Sequence, residues 1–204
     1  MVAISDLEQE AKWTRYPISG IRQANTGPKL RDYFKIQRGL ATGDNKFFIM
    51  TAEEAAVRGV PKNFLRPILP SPRYVLEDHI QADLEGIPVI PRLLFLLDCR
   101  LPEEQVRAEH PALWAYLQTG VPGVSERYLC AHRSPWYLQE DRPAAPFICT
   151  YMGRGNSKNG ESPFRFILNE SQATAANVYL LLYPKPPLRQ ALDGTPELRR
   201  KVWK

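Results

Sequence analysis

The sequence is poor in cysteine and has no long apolar run. Its 204 residues include three cysteines, Cys99, Cys130 and Cys149, and no CxxC pair. Because an odd and widely spaced set suits neither a disulfide framework nor a zinc ribbon, we expect no bound metal and a reducing, cytoplasmic environment. Apolar runs such as residues 93–97 fall far short of the roughly 20 residues that cross a bilayer, and acidic residues near the start predict no secretory segment.

Motifs that mark common active sites are also absent from the sequence. There is no phosphate-binding P-loop, no Gly-x-Ser-x-Gly elbow, and no carboxylate pair with a nearby lysine of the kind that marks a metal-dependent nuclease. The Gly-Arg-Gly string at residues 153–155 follows a predicted strand but opens no helix, so it does not predict a cofactor-binding turn. We therefore expect no catalytic residue and no bound cofactor within this chain.

Positive charge is unevenly distributed along the sequence. The net charge is +5, and six basic against two acidic residues between Lys185 and Lys204 leave four of these five charges in the tail. A basic surface can attract nucleic acid, because cations at phosphates release condensed counterions. A basic tail is also typical of a solvated helix face, so composition alone favours a nucleic-acid partner only weakly.

The first half of the sequence predicts a strand, a glycine-containing turn, a strand and a helix. Side chains alternate between apolar and polar over residues 33–38, residues 39–45 form a turn, and residues 47–50 resume an apolar strand. Thr51 and Glu54 then form a capping box that starts a helix. Another capping box predicts a short helix over residues 5–13. The prolines of residues 67–72 predict an extended, irregular segment.

The second half predicts further strands and helices. Residues 93–97 are predicted as a buried strand, and residues 102–120 as helical, with Pro111 starting a second helix. Three more strands are expected at residues 147–151, 164–168 and 177–183, followed by a helix with Thr195 as N-cap. Together these elements predict an α+β fold, with an irregular, twisted, mostly antiparallel sheet, short peripheral helices and a C-terminal helical element.

Three segments have compositions that suit nucleic-acid binding. In residues 38–50 the turn can present amides, the Thr42 hydroxyl and Lys46 to an anion, although it can equally be a hairpin turn with a solvated lysine. In residues 128–138 Arg133 and Trp136 offer a planar cation and a stacking surface, unless the aromatic side chains belong to the core. The polar, basic loop of residues 151–165 suits base-edge contacts, but such loops also occur without a ligand.

Taken in order, these segments resemble the C-terminal target-recognition region of adenine-N6 DNA methyltransferases of restriction-modification systems, the group that includes the TaqI- and Eco57I-like enzymes. The resemblance extends over most of the chain from about Tyr33 onward. The matching strings are RGLATGDNKFF (38–48), LRPIL (65–69), SPRY (71–74), ERYLCAHRSPWY (126–137), PFICTYMGR (146–154) and FRFILNESQATAANVYLLLYP (164–184).

The resemblance implies a division of labour within a longer polypeptide. A catalytic domain elsewhere in that polypeptide binds S-adenosylmethionine, flips an adenine out of the duplex and methylates its amine, and the present chain recognises double-stranded DNA. DNA contact is expected by motif position at Arg38, Thr42, Lys46, Arg133, Trp136, Arg154, Asn156 and Lys158. Residues 1–184 then form the recognition domain, with residues 1–32 as N-terminal helix and linker, and residues 185–204 begin a C-terminal helical segment.

The chain departs from the complete family pattern because it lacks the catalytic motifs. Neither a glycine-rich cofactor turn nor an Asn/Asp-Pro-Pro-aromatic turn is present, since Pro186 and Pro187 lie between Lys185 and Leu188. We therefore expect the enzyme activity to belong to the parent chain, as a site-specific adenine DNA methyltransferase. Two alternatives stay open, namely a fragment of a fused restriction endonuclease-methyltransferase and a protein-interaction domain that makes no DNA contact.

Overall fold

The computed structural model describes residues 27–150 and 164–204 of the chain. The chain divides into two compact units, Met1–Asp32 and Tyr33–Lys204. Of the first unit, residues 27–32 are described, and the helix predicted at residues 5–13 lies outside the described residues. The second unit contains helices and strands in comparable measure, which confirms the predicted α+β class.

The described residues form eight helices and nine strands. The helices are α1 (Leu30–Tyr33), α2 (Asn45–Phe48), α3 (Ala52–Val57), α4 (Glu103–Glu109), α5 (Pro111–Gln118), α6 (Tyr128–Ala131), α7 (Pro186–Gly194) and α8 (Pro196–Trp203). The strands are β1 (Phe34–Arg38), β2 (Ile49–Met50), β3 (Leu65–Leu69), β4 (His79–Ile80), β5 (Leu94–Leu97), β6 (Phe147–Thr150), β7 (Arg165–Asn169), β8 (Thr174–Ala175) and β9 (Tyr179–Pro184). Two 3₁₀ turns lie at Lys62–Phe64 and Pro72–Tyr74.

The strands form two sheets. Sheet 1 has five strands in the order β1-β9-β6-β7-β4, and sheet 2 has four in the order β2-β5-β3-β8. All pairings are antiparallel except β4 with β7 and β3 with β8. The predicted antiparallel character is therefore confirmed, but the strands divide between two sheets, which periodicity along one strand does not reveal.

Three hydrophobic clusters lie between the two sheets and the helices that cover them. The first packs sheet 2 against α4 and α5, and includes Leu96, Leu113 and Leu117 with no exposed surface. The second includes Leu69 of sheet 2 and Ile148 of sheet 1, so it joins the two sheets. The third covers the outer face of sheet 1 with α7 and α8, where their apolar side chains meet buried residues of β6 and β9.

Several local predictions are confirmed. The capping box at Thr51 is formed, with the Thr51 hydroxyl accepting from the Glu54 amide and the Glu54 carboxylate accepting from the Thr51 amide. Pro111 begins α5, and Pro196 begins α8 directly after Thr195, although the Thr195 side chain makes no capping hydrogen bond. Each of these signals depends on a few neighbouring residues, so it can be recognised without knowledge of the tertiary fold.

Two local predictions were wrong. Residues 47–50 were predicted as a strand, but Phe47 and Phe48 end helix α2, and only Ile49–Met50 are extended. The cause is Asp44, whose carboxylate accepts from two amides of the first helical turn. The segment containing Pro67 was predicted to be irregular but forms β3, where the proline is tolerated because the neighbouring strand β8 begins only opposite Ile68.

Candidate nucleic-acid interface

The turn after β1 is held against the body of the protein by a close backbone approach. A Cβ atom at Gly39 would lie 2.2 Å from the Ala176 carbonyl oxygen, so only glycine fits without movement of the backbone. The Leu40 amide donates to the Ala175 carbonyl at 2.9 Å. Gly43 adopts a φ of +91°, which favours glycine there as well. The two glycines therefore fix the start and the bend of the turn.

Arg133 supports the turn from the inside. Its guanidinium donates to the carbonyl oxygens of Ala41 at 2.7 Å and Thr42 at 2.9 Å, and more weakly to the Gln139 side chain at 3.4 Å. These hydrogen bonds occupy the planar fork that was predicted to bind DNA. Arg133 thus acts on the turn's backbone, and its contact with DNA stays a prediction.

Thr42 and Asp44 also point their polar groups inward. Thr42 is 1% exposed, and its hydroxyl donates to the Asn45 side-chain oxygen at 2.7 Å. The Asp44 carboxylate caps α2 and also forms an ion pair with Arg127 at 2.8 Å. The Thr42 hydroxyl, which was expected to face an anion, therefore bonds within the protein. Lys46, in helix α2, is exposed.

Trp136 and Tyr137 of the segment 128–138 pack in or against the core, whereas Tyr128 is exposed. Trp136 is half-buried, and its ring centroid lies 5.7 Å from that of Phe47 and 6.0 Å from that of Phe48. Tyr137 is fully buried, donates its hydroxyl to the Leu101 carbonyl at 2.8 Å, and has its pKa raised by burial. Of the two interpretations of this segment, the structure favours a core role for Trp136 and Tyr137.

Cys130 lies behind the same turn. Its thiol is fully buried, and a Cβ atom at Gly43 would come within 2.7 Å of the sulfur. Burial raises the pKa of the Cys130 thiol, although the nearby Arg133 partly opposes that effect. The thiol therefore serves as a packing group at neutral pH.

The remaining predicted contact residues differ in their surroundings. Arg38 is exposed at the end of the edge strand β1, opposite Leu180, and its main-chain carbonyl accepts from Arg142 Nε at 3.3 Å. Lys46 is exposed and lines two neighbouring grooves. Arg154, Asn156 and Lys158 lie outside the described residues. DNA contact by any of the eight predicted residues stays a prediction.

A cleft beside the turn gathers positive charge that the sequence did not reveal. It has a volume of about 670 Å³. Its charged lining residues are Lys46, Arg58, Arg73, Arg92 and Glu54, four cations against one carboxylate. Arg73 belongs to the SPRY string at residues 71–74, which carried part of the resemblance, whereas Arg92 lay in no recognised string. The net charge of residues 1–184 does not indicate this cleft, because acidic residues elsewhere in that range balance its cations.

Two of these arginines share one aromatic ring. The guanidinium carbons of Arg73 and Arg92 lie 4.7 Å and 4.4 Å from the centre of the Tyr74 ring. Both distances are within the range of cation–π attraction.

A smaller groove of about 470 Å³, lined by Thr42, Arg127 and other residues of the turn, also includes Lys46. Lys46 therefore belongs to both grooves.

Within residues 27–150 and 164–204, no group of three or more potential metal-ligating side chains is found. Over the same residues no helix has the length and apolar character needed to cross a bilayer.

Comparison with known proteins identifies the class. Residues 11–192 match the family described as type II methyltransferase M.Eco57I, C-terminal domain. The chain therefore belongs to this family of methyltransferase C-terminal domains.

Curated relatives agree with this assignment. The chain is 31% identical over 163 residues to the type II methyltransferase M.XamI of Xanthomonas campestris pv. amaranthicola, covering 78% of this chain and 28% of the relative. It is 27% identical over 179 residues to the type II methyltransferase M.AccI of Acinetobacter calcoaceticus, covering 86% and 31%. The chain thus spans less than a third of these relatives' length.

Among solved structures, the type IIL restriction-modification enzyme MmeI, solved in complex with DNA, matches with a TM-score of 0.43 and 13% identity over 78% of this chain and 20% of that one. A likeness of this size does not bear on function.

Proposed function

We propose that this chain recognises the DNA target of an adenine-N6 DNA methyltransferase. In this proposal an S-adenosylmethionine-dependent catalytic domain lies in the same polypeptide and supplies the methyl transfer. Family membership and the share of the relatives that the chain covers support such a division. The structural observation that carries the proposal is a rigidly held turn that exposes Lys46 beside a cation-lined cleft.

The turn has the properties that a DNA contact requires. Because Arg133 and the close approach at Gly39 hold its backbone, Lys46 can meet a phosphate without a large ordering cost. Sequence would be read by groups that reach base edges, for which the side chains of Arg154, Asn156 and Lys158 are suited chemically. Adenine is read in the major groove through an acceptor and a donor, which a single asparagine amide can match.

The proposal is tested in the full-length protein by exchange of the region. Residues 33–184 of this chain are replaced by the corresponding region of a relative that methylates a different site. Methylated adenines are then mapped in genomic DNA by sequencing. We expect the methylated sequence to follow the exchanged region, while the modified atom stays the adenine N6. The control is a chimera with the exchange made outside this region, which should keep the original site.

Two results would contradict the proposal. If an active chimera methylates the original site, the region does not read sequence. Lys46, Arg133 and Arg154 are also replaced by alanine. If the DNA affinity of the folded enzyme is then unchanged, the chain is better assigned as a protein-interaction domain that makes no DNA contact.

A further inference from the structure

Arg73 and Arg92 reach the same place from two distant parts of the chain. Arg73 lies in the 3₁₀ turn that follows β3, and Arg92 lies just before β5. Strands β3 and β5 are antiparallel, with Ile68 opposite Leu94. The last residues of β3 and the first residues of β5 therefore lie side by side at one end of these strands. The pairing of the strands therefore fixes the two arginines beside Tyr74.

Among the described residues, Arg73 and Arg92 have no carboxylate partner, in contrast to several other arginines. Arg127 and Arg165, for example, each pair with an aspartate. Within the described part of the chain the side chains of Arg73 and Arg92 make no hydrogen bond and contact no carboxylate, and both residues are exposed. Their guanidinium N–H groups are consequently available to a ligand, while the Tyr74 ring restricts their position.

The surrounding charges favour an anion. Two guanidinium groups at one ring repel each other, and Lys46 and Arg58 add further positive charge to the same cleft. Glu54 is the single carboxylate that the described residues contribute to the lining, and one of its oxygens accepts from the Thr51 amide at 2.8 Å. A bound anion would relieve this repulsion. A phosphodiester suits the planar forks, because guanidinium groups bind phosphate oxygens through paired hydrogen bonds.

We infer that Arg73 and Arg92, mounted on Tyr74, form a clamp for the phosphate backbone of duplex DNA. This inference rests on the proposed DNA-reading function and adds a subsite to it. The clamp anchors the duplex without reading bases, because contacts to phosphate carry no direct sequence information. Lys46 continues the same positive surface into the smaller groove, so one backbone strand can run along both.

The test uses the full-length protein with both arginines changed, Arg73→Gln and Arg92→Gln. Binding to a duplex with the mapped methylation site and to a scrambled duplex is measured by fluorescence anisotropy over a range of salt concentrations. We expect both affinities to fall by a similar factor, about tenfold or more at low salt. The slope of log affinity against log salt should become shallower by about 0.9 for each phosphate that the protein no longer neutralises.

Two further variants separate the clamp from general effects. Arg107→Gln with Lys62→Gln removes the same number of exposed charges outside the cleft and should leave the salt slope nearly unchanged. Tyr74→Leu keeps both arginines but removes the ring, and should weaken binding less than the double arginine change does. Thermal unfolding establishes that each variant is folded. The mapped methylation site should stay the same in all of them, with the loss appearing mainly in KM for DNA.

The outcomes distinguish the inference from the function on which it rests. If the unaltered protein does not prefer its methylation site over scrambled DNA, the proposed function fails. If it does, and the double arginine variant binds like the Arg107 and Lys62 control, the clamp is overturned. A loss confined to the specific duplex would also overturn it, because it would show base reading in place of backbone binding.

Discussion

The cleft and the C-terminal helices both carry many basic residues, but they use them differently. In α7 and α8, the Asp193 carboxylate lies 3.9 Å from the Arg189 guanidinium and 3.4 Å from that of Arg199. The Arg200 guanidinium lies 3.9 Å from the carboxylate of Glu170, the residue after β7. In the cleft, Arg73 and Arg92 have an aromatic ring as their neighbour, and none of the carboxylates of residues 27–150 and 164–204 pairs with them.

This difference shows why a count of charges along the sequence misleads. The tail holds most of the net charge, yet its arginines have carboxylates within reach. The body of the protein is nearly neutral in sum, yet one cleft collects four cations around a single carboxylate. Affinity for an anion depends on the cations that converge on one surface and on whether they are already paired, and both follow from the fold.

The largest loss of stability is expected where the turn after β1 packs against the backbone of Ala176. In Gly39→Ala the new methyl group would lie 2.2 Å from a backbone oxygen that cannot rotate away. We expect the free energy of unfolding to fall by about 3 kcal/mol, the upper range for overpacking, in urea denaturation followed by tryptophan fluorescence.

The matched control is Gly123→Ala, because a Cβ atom at Gly123 meets nothing within 4 Å. Its stability should stay close to that of the unaltered chain. Equal decreases in the two variants would show that the close approach at Gly39 is not what holds the turn.

The half-buried Arg133 and the exposed Arg189 should contribute differently to stability. Arg133→Met removes the guanidinium that donates to the Ala41 and Thr42 carbonyls, so we expect a decrease of about 2 kcal/mol in the free energy of unfolding. Arg189→Met in the tail removes an exposed ion pair and should cost less than about 1 kcal/mol. Denaturation with urea measures both, and a larger decrease at Arg189 would contradict the supporting role of Arg133.

The smallest effect is expected in the tail itself. Asp193→Asn releases both Arg189 and Arg199 from their shared carboxylate, yet the stability should change by less than about 1 kcal/mol because the groups are exposed. If the tail lies away from DNA, the salt slope of DNA binding by the full-length protein should stay the same. The control is Glu77→Gln, an equal charge change at another exposed position. A steeper slope for Asp193→Asn alone would bring the tail into the DNA-binding surface.

Sequence reasoning succeeded where a few neighbouring residues decide the structure. The Thr51 capping box and the helix starts at Pro111 and Pro196 are of this kind. It failed at α2, because the apolar pair Phe47 and Phe48 fits a strand equally well until the Asp44 cap is recognised. The division into two sheets also escaped prediction, since it depends on pairings between residues far apart in the chain.

The candidate site was predictable only in part for the same reason. Lys46 was chosen from its glycine-containing turn and is exposed as expected. Arg133 and Trp136 were chosen for their chemistry, but the structure gives them partners inside the protein. Arg92 could not be chosen, because only the pairing of β3 with β5 brings it to Arg73.

The internal support of the turn has a consequence for how such a protein can change over generations. The groups that fix the turn are Gly39, Gly43, Asp44, Cys130 and Arg133, and the bonds and packing they make are within the protein. The Lys46 side chain makes none of these contacts, so the fold can tolerate mutations at this position. Natural variation can therefore alter what the surface binds while the scaffold is inherited intact.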